Sequence, residues 1–235
     1  MVGTDTFTVI DNLNLDPNQH MTNFVFVRAT DSDNQISDTT ISDGFMLDLG
    51  LPQVLAITEG SFTTDKDYHN SITSLPIGWI GSDESMSGPS SSGINFYEVA
   101  LGTTAGDSNT VDWTNQVDST STTLIELSLE EGSTYYASAR LTDIAGNISE
   151  VLSGNGILID STGPVTGTVI DGTIEDFTFT GTSNALTATW SDFSDEVSGI
   201  SHYEYSIGTS IGINDISGWT DVGLDTFFTH TSLDL

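Results

Sequence analysis

The chain has 235 residues, of which 34 are acidic and three are basic, so its formal net charge at pH 7 is −31. Lys66, Arg28 and Arg140 supply all the basic side chains, which leaves nothing to neutralise the phosphates of a nucleic acid or an anionic membrane. The sequence has no cysteine, no apolar stretch long enough to span a membrane and no signal peptide in residues 1–30, so we expect any targeting signal to lie outside it.

An internal repeat organises the chain. Residues 27–60 align with residues 139–172 at a shift of 112, without a gap. Residues 93–129 align with residues 199–235 at a shift of 106, which pairs Trp113 with Trp219. The alignments predict three parts. These are the C-terminal part of one repeat (residues 1–52), a complete repeat (53–164) and the N-terminal part of a third (165–235).

Short segments of alternating apolar and polar residues follow one another through the complete repeat, separated by Gly, Ser and Asp clusters. No segment has the apolar periodicity of a helix. Seven short strands in about 110 residues predict a two-sheet sandwich. The fold class is therefore all-β, as tandem seven-stranded antiparallel β-sandwiches. In chain order the predicted strands are 53–57, 74–80, 95–101, 110–114, 122–129, 135–141 and 153–160.

Three segments resemble parts of known sandwich repeats. Residues 127–136, Leu-Ser-Leu-Glu-Glu-Gly-Ser-Thr-Tyr-Tyr, resemble the turn of fibronectin type III domains into their sixth strand, which includes a tyrosine corner. Residues 143–149, Asp-Ile-Ala-Gly-Asn-Ile-Ser, resemble a turn in the repeats of large bacterial adhesins, and residues 160–164 resemble the linker between those repeats. The resemblance implies a fibronectin type III or Ig-like fold. The first repeat has Asn23 in place of Tyr135 and a different turn sequence, so we expect its corner to be built differently.

Acidic residues are expected to gather at one pole of each sandwich, where the loops after the second and sixth strands meet the preceding linker. Ca²⁺ takes six to eight oxygen ligands, and carboxylates at such a junction supply them. The alternative is that these residues are turn formers at loop ends. No EF-hand loop in the sequence supports the calcium interpretation. The candidate ligands are Asp48, Asp83, Glu84 and Asp143 at the first junction, and Asp160, Asp192, Asp195 and Glu196 at the second.

Other residues give weaker indications of chemistry. The four histidines have neither metal-site nor nucleophile spacing, so we expect no enzymatic activity. Trp113 and Trp219 occupy equivalent polar stretches and are candidate ligand-binding residues that would stack on sugars. The alternative for both is packing within the sandwich.

The repeat pattern favours a structural function. We expect a stalk or shaft segment of a secreted bacterial cell-surface adhesin or extracellular filament. The alternative is a carbohydrate- or ligand-binding adhesion module. The expected partners are neighbouring repeats of the same polypeptide, with a homo-oligomer or filament as a further possibility. The partial end repeats leave two interpretations: strand addition between copies, or a sequence taken from a longer polypeptide, which is the simpler one.

Overall fold

The structure is a computed structural model that describes residues 7–15, 22–83 and 91–233. The regular secondary structure in these ranges consists of β-strands. Within these ranges no helix is long and apolar enough to cross a membrane. The strands are β1 (Phe26–Val27), β2 (Thr40–Ile41), β3 (Gln53–Glu59), β4 (Tyr68–His69), β5 (Leu75–Ser82), β6 (Ile94–Gly102), β7 (Val111–Asn115), β8 (Ser121–Leu124), β9 (Thr134–Asp143), β10 (Leu152–Ser153), β11 (Ile157–Ile159), β12 (Thr168–Asp171), β13 (Ala185–Ser191), β14 (Glu204–Ile207), β15 (Ser217–Asp221) and β16 (Phe227–Thr231).

The chain divides into two compact units. The first comprises Met1–Leu129 and Ser133–Leu158, and the second comprises Glu130–Gly132 and Ile159–Leu235. The three-part division at residues 52 and 164 stays a prediction about the limits of the sequence repeat.

The first unit contains a complete sandwich. One sheet has the order β3-β5-β8, and the other has the order β4-β11-β9-β6-β7 with β10 also on β9. The pairings within the first sheet, of β9 with β6, β10 and β11, and of β6 with β7 are antiparallel. The predicted all-β, two-sheet fold is confirmed. The predicted inner face of β9, Tyr135, Ala137, Ala139 and Leu141, is buried, and Ser138 and Thr142 of the other face are buried as well. The buried apolar side chains of this core include Leu75, Ile77, Trp79, Tyr97, Val99, Leu101, Leu124, Leu129, Tyr135, Leu141 and Ile157.

Two predicted strands differ from the observed ones. The strand predicted over 122–129 ends at Leu124, because Glu126 adopts a left-handed backbone with φ of 58°. Leu127 and Leu129 then donate backbone hydrogen bonds to Thr73 and Ile72 outside the ladder. The last predicted strand, 153–160, is divided into β10 and β11, because Gly156 between them has φ of 96°.

The second unit repeats five strands of that sandwich in the same register. Its sheets have the orders β12-β13-β16 and β14-β15. Val169 pairs with Trp190, as Ile57 pairs with Trp79 in the first unit. The pairing of Tyr205 with Thr220 likewise repeats that of Val99 with Thr114. The described part of this unit therefore matches β3, β5, β6, β7 and β8.

Residues 22–45, the head hairpin, repeat the pairing of β9 with β10 and β11. Val27 pairs with Thr40 as Ala139 pairs with Leu152, at a shift of 112 on both sides. The isolated bridges follow the same rule: Asn23–Phe45 matches the pairing of Tyr135 with Ile157, and Thr30–Ile36 matches Thr142–Ile148. The head hairpin is therefore an equivalent of β9 to β11.

The turn of the head hairpin is built like its counterpart although its sequence differs, and the expected difference at the corner around Asn23 stays a prediction. Asp31 N donates to Gln35 O at 2.9 Å, and Asp143 N donates to Asn147 O at 3.0 Å. Asn34 has φ of 63° where Gly146 has 96°. Asn tolerates the left-handed region better than other side chains do, so the sequence changes while the turn remains.

Candidate functional site

Three of the predicted acidic residues meet at one pole of the complete sandwich. Asp48, Asp83 and Asp143, here called the aspartate cluster, each place a carboxylate oxygen within 4.8 Å of the others. Strand pairing explains the convergence, because Gln53 at the start of β3 pairs with Ser82 at the end of β5. Asp143, the last residue of β9, lies beside Ile94, the first residue of β6.

Asp48 belongs to the segment that leads from the head hairpin into β3. Its Oδ1 accepts a hydrogen bond from Gly50 N at 2.9 Å, and its Oδ2 accepts one from Ser92 N at 2.7 Å. Partial burial by itself raises the pKa of this carboxyl, but the hydrogen bonds from Ser92 and Gly50 outweigh it and hold the pKa below its usual value. Asp48 is therefore held as a carboxylate.

Asp83 follows β5 directly and is buried. Its Oδ2 accepts hydrogen bonds from Ser91 Oγ at 2.9 Å and from Gly93 N at 2.7 Å. The amides of Ser92 and Gly93 thus bind two different carboxylates of the cluster, Asp48 and Asp83. This short segment before β6 fixes the separation of the two carboxylates.

Asp143 is fully buried. Its Oδ1 accepts a hydrogen bond from Asn147 N, and its Oδ2 accepts one from Asn147 Nδ2, both at 2.7 Å. The same Nδ2 also donates to the backbone oxygen of Asp48 at 3.2 Å. Asn147 therefore joins the turn after β9 to the segment that precedes β3.

The cluster concentrates negative charge. Within the described ranges none of its carboxylates forms an ion pair, whereas Arg140 pairs with Glu98 elsewhere in the sandwich. Three carboxylates this close repel one another, and burial of two of them weakens screening by water. Such an arrangement favours a bound cation with a preference for oxygen ligands.

The second junction holds a related pair of carboxylates. Asp160 Oδ2 and Asp195 Oδ1 both accept a hydrogen bond from Ser198 N, at 3.1 and 2.8 Å. Asp195 Oδ1 also accepts one from Gly199 N at 3.0 Å, as Asp83 does from Gly93 N. Asp160 and Asp195 thus repeat the roles of Asp48 and Asp83.

The remaining predicted ligands are placed differently. Asp192 is exposed, and its Oδ2 accepts a hydrogen bond from the adjacent Ser191 Oγ at 2.7 Å. Glu196 is also exposed. Glu84 lies outside the described residues.

The residues that position the cluster were not identified from the sequence. Ser92, Gly93 and Asn147 carry the backbone and amide donors described above. The alignment of Gly93-Ile94 with Gly199-Ile200 and the Asp143-to-Asn147 turn motif were the available signals. Neither reveals which carboxylate each donor binds.

The two candidate ligand-binding tryptophans have different surroundings. Trp113 is half-buried, and the guanidinium carbon of Arg140 lies 4.5 Å from the centre of its ring. That contact is a cation–π interaction which covers one face of the indole. Trp219, the equivalent residue in the second unit, is 66% exposed. An exposed indole face is therefore present at Trp219.

Comparison with known proteins gives limited similarity. No protein-family model matches the chain. Exoglucanase B of Cellulomonas fimi is 29% identical over 207 residues, covering 84% of this chain and 17% of that protein. The chain thus spans under a fifth of this curated relative. The solved FN1–FN3 domains of chicken CNTN1 align over 90% of this chain and 65% of theirs, at 14% identity and a TM-score of 0.37, which is too low to support an argument.

Proposed function

We propose that this segment is a non-catalytic spacer in a secreted bacterial surface or filament protein, in which Ca²⁺ bound by the aspartate cluster fixes each leading segment to its sandwich. The observation that carries the proposal is the position of Asp48. It lies in the segment that leads into the sandwich, yet its carboxylate is within 4.8 Å of those of Asp83 and Asp143. One ion would therefore join three distant parts of the chain.

The donor set fits a hard cation. Ca²⁺ binds oxygen at 2.3–2.6 Å, so two ligands on opposite sides of one ion are roughly 5 Å apart. The oxygens of the aspartate cluster all lie within that limit. Three carboxylates leave part of the coordination shell for backbone carbonyls and water, which Ca²⁺ accepts readily.

Binding would also relieve repulsion in the cluster. At a free Ca²⁺ concentration 100 times the dissociation constant, binding to the native state alone stabilises it by about 2.7 kcal/mol. The stabilised contacts are those that hold the leading segment on the sandwich. A series of such joints would resist bending at each junction, which suits a spacer.

Calcium titration of the whole chain tests this proposal. We expect heat of binding in calorimetry and a rise in melting temperature of about 5 °C with Ca²⁺, reversed by EDTA. Asp143→Asn should abolish both effects, because it removes one of three charges from a buried site. The matched control is Asp31→Asn. Asp31 Oδ1 accepts a hydrogen bond from Gln35 N at 2.7 Å in the equivalent turn, but Asp31 is exposed and outside the cluster.

The outcomes separate binding at the cluster from binding to surface acid groups. Loss of Ca²⁺ binding in Asp143→Asn with normal binding in Asp31→Asn would support a Ca²⁺ site at the aspartate cluster. Equal weakening in both variants would indicate diffuse attraction to the charge of −31 and would contradict the proposal. An unchanged melting temperature in EDTA would also contradict it.

A carbohydrate-binding module is the second candidate function. The exposed indole of Trp219 supports it, because flat aromatic faces stack on sugars. The similarity to part of an exoglucanase makes a glucose polymer the first ligand to test. Retardation of the chain in a glucan affinity gel, lost in Trp219→Ala and kept in Trp113→Ala, would favour this function over the spacer. No retardation would exclude it for these polymers.

A further inference from the structure

The sequence contains one Asn-Gly pair, Asn155-Gly156, which lies in the break between β10 and β11. Asn155 is exposed. In such a pair the glycine nitrogen attacks the side-chain amide carbon of the asparagine, because the glycine has no Cβ to obstruct the approach. The pair is therefore a candidate site of spontaneous deamidation, a modification that needs only water.

The fold requires the glycine of this pair. Gly156 has φ of 96°, in the region that other residues rarely adopt. A Cβ on Gly156 would lie 2.7 Å from Cε1 of Tyr136 and 2.8 Å from Cγ2 of Thr134, which is too close for either contact. Gly44, at the equivalent position 112 residues earlier, has φ of 93°. The backbone of this turn thus keeps a glycine in the reactive position.

A buried carboxylate binds the reactive nitrogen. Glu59, at the end of β3, is fully buried, and its Oε2 accepts a hydrogen bond from Gly156 N at 2.8 Å. Its Oε1 accepts a hydrogen bond from Ala137 N at 2.6 Å. The backbone at Gly154 also approaches the carboxylate so closely that a Cβ there would collide with it. Residues 154–156 are therefore packed around the Glu59 carboxylate.

We propose that Asn155 is a site of spontaneous deamidation and that Glu59 suppresses the reaction in the folded chain. For ring closure the Gly156 nitrogen must lose its proton and turn toward Cγ of Asn155. The hydrogen bond to Glu59 keeps the proton on the nitrogen and directs the N–H into the core. A carboxylate is far too weak a base to take an amide proton, and it would repel the amide anion. Glu59 therefore protects the site and does not activate it.

The covalent change needs no reactant besides water. A bond forms between Gly156 N and Asn155 Cγ, the bond from Cγ to the side-chain nitrogen breaks, and that nitrogen leaves with the amide proton as ammonia. Water then opens the cyclic imide. Cleavage of the bond from Gly156 N to Cγ gives aspartate. Cleavage of the bond from Gly156 N to the backbone carbonyl carbon gives isoaspartate, in which the main chain runs through Cγ.

Both products would weaken the structure around the break between β10 and β11. Each adds a carboxylate at residue 155, and isoaspartate also adds one atom to the backbone. The added atom would displace Gly156 N from Glu59, and the next residue, Ile157, is fully buried in the core. The stability of the sandwich would then decline with the age of the chain. This inference does not depend on cation binding by the aspartate cluster.

Peptide mapping by mass spectrometry tests the proposal during incubation of the whole chain at mildly alkaline pH. We expect Asn155 to be converted at least about tenfold more slowly in the folded chain than in the same chain unfolded in urea, because the Gly156 amide reacts only when it is locally released. Glu59→Met should raise the rate in the folded chain, since it keeps an unbranched side chain and removes both acceptor oxygens.

A general loss of stability would also expose the site, so Glu59→Met needs a matched control. Val99→Ala removes buried atoms of the same sandwich and leaves the Glu59 side chain unaltered. Small additions of urea bring the two variants to the same free energy of unfolding before their rates are compared. Glu59→Met should then still convert Asn155 about fivefold faster or more, because it lacks the hydrogen bond to the Gly156 amide.

Two further measurements do not depend on the folding of a Glu59 variant. In the unaltered chain the Gly156 amide should exchange its hydrogen as slowly as the Ala137 amide, which the same carboxylate binds. After ageing, the unaltered chain should melt about 4 °C lower or more. Asn155→Gln aged in the same way should not, because its longer side chain closes the ring far more slowly.

Four results would overturn the proposal. One is an equal rate of conversion in the folded and the unfolded chain. The second is conversion in Glu59→Met no faster than in Val99→Ala, and a rate below that of the unaltered chain would show that the carboxylate promotes the reaction. The third is exchange of the Gly156 amide as fast as that of an exposed amide. The fourth is an aged, converted chain that melts with the aged Asn155→Gln chain.

Discussion

Arg140 donates from Nε to Glu98 Oε2 across 2.8 Å, and these two residues are also directly opposite one another in the pairing of β6 with β9. The guanidinium lies over Trp113 at the same time, 4.5 Å from the ring centre. The Arg140 side chain of β9 thus contacts β6 through Glu98 and β7 through Trp113.

The first prediction concerns this ion pair. Glu98→Gln should lower the free energy of unfolding by about 0.5–1 kcal/mol, because the pair is partly exposed and the stacking on Trp113 remains. The difference should shrink in 1 M salt, where the Debye length falls to about 3 Å. Urea unfolding at low and high salt measures both effects. Trp113→Ala removes the stacking and keeps the charges. The loss of unfolding free energy that it causes should therefore depend less on salt than the loss caused by Glu98→Gln.

The second prediction concerns Glu59, which is fully buried and accepts hydrogen bonds from Ala137 N at 2.6 Å and Gly156 N at 2.8 Å. Burial raises the pKa of this carboxyl and outweighs the lowering by these two hydrogen bonds. Between its usual pKa and the raised one, the native state holds the proton that the unfolded state has released. Ionisation of Glu59 therefore lowers the free energy of unfolding as pH rises through that window.

Substitution of Glu59 separates its charge from its hydrogen bonds. Glu59→Gln should destabilise the first unit by about 1–3 kcal/mol at low pH, because the amide nitrogen cannot accept one of the two backbone bonds. The difference in free energy of unfolding between the variant and the unaltered chain should narrow as pH rises above about 4.3. Only the unaltered chain has the carboxyl, so only it loses stability through this group. Urea unfolding from about pH 4 to pH 8 gives the profile. A constant gap would contradict the raised pKa.

The third prediction uses the two equivalent turns. Gly146→Asn should cost under about 1 kcal/mol, because Asn34 forms the same turn with φ of 63°. Gly146→Val should cost about 2 kcal/mol or more, because a β-branched residue is strained at positive φ. Steric contact does not complicate the comparison, since a Cβ at Gly146 meets no atom within 4 Å. Equal stabilities in chemical unfolding would show that the turn is not constrained.

The fourth prediction concerns Asp195, whose Oδ1 accepts hydrogen bonds from the amides of Val197, Ser198 and Gly199 at 2.8–3.1 Å. Asp195→Ala should destabilise the second unit by about 1–3 kcal/mol through unpaired donors. Asp195→Asn retains an acceptor oxygen and should cost less. Fluorescence in a background with Trp79→Phe and Trp113→Phe reports on this unit, because Trp190 and Trp219 then give all the tryptophan signal. Asp192→Asn, which alters a single contact to Ser191, should leave its stability nearly unchanged.

Much of the fold was predictable from local patterns. Alternation in 135–141 predicted β9, and the aligned Trp and Gly residues predicted the repeated register. The topology of a sandwich then placed Asp48, Asp83 and Asp143 at one pole, because it determines which loops meet. Each of these inferences depends on periodicity or topology, which a sequence displays directly.

Specific partners were harder to predict. By sequence, Glu59 is one polar residue at a strand end, and only the structure shows that its carboxylate binds two backbone amides in the opposite sheet. Asp192 and Asp195 are both plausible ligands by sequence, because both follow the strand of Trp190 closely. Which one meets Ser198 depends on the backbone of the turn, including φ of 66° at Asp192.

The shared register has a genetic consequence. Val27–Thr40 and Ala139–Leu152 pair identically although their side chains differ, and the positions are 112 residues apart on both strands. A deletion of 112 codons that joins the aligned segments 27–60 and 139–172 at equivalent positions would therefore leave each strand opposite an equivalent partner. Recombination between copies of the repeat at these positions would change the number of sandwiches without disturbing the fold of any one of them.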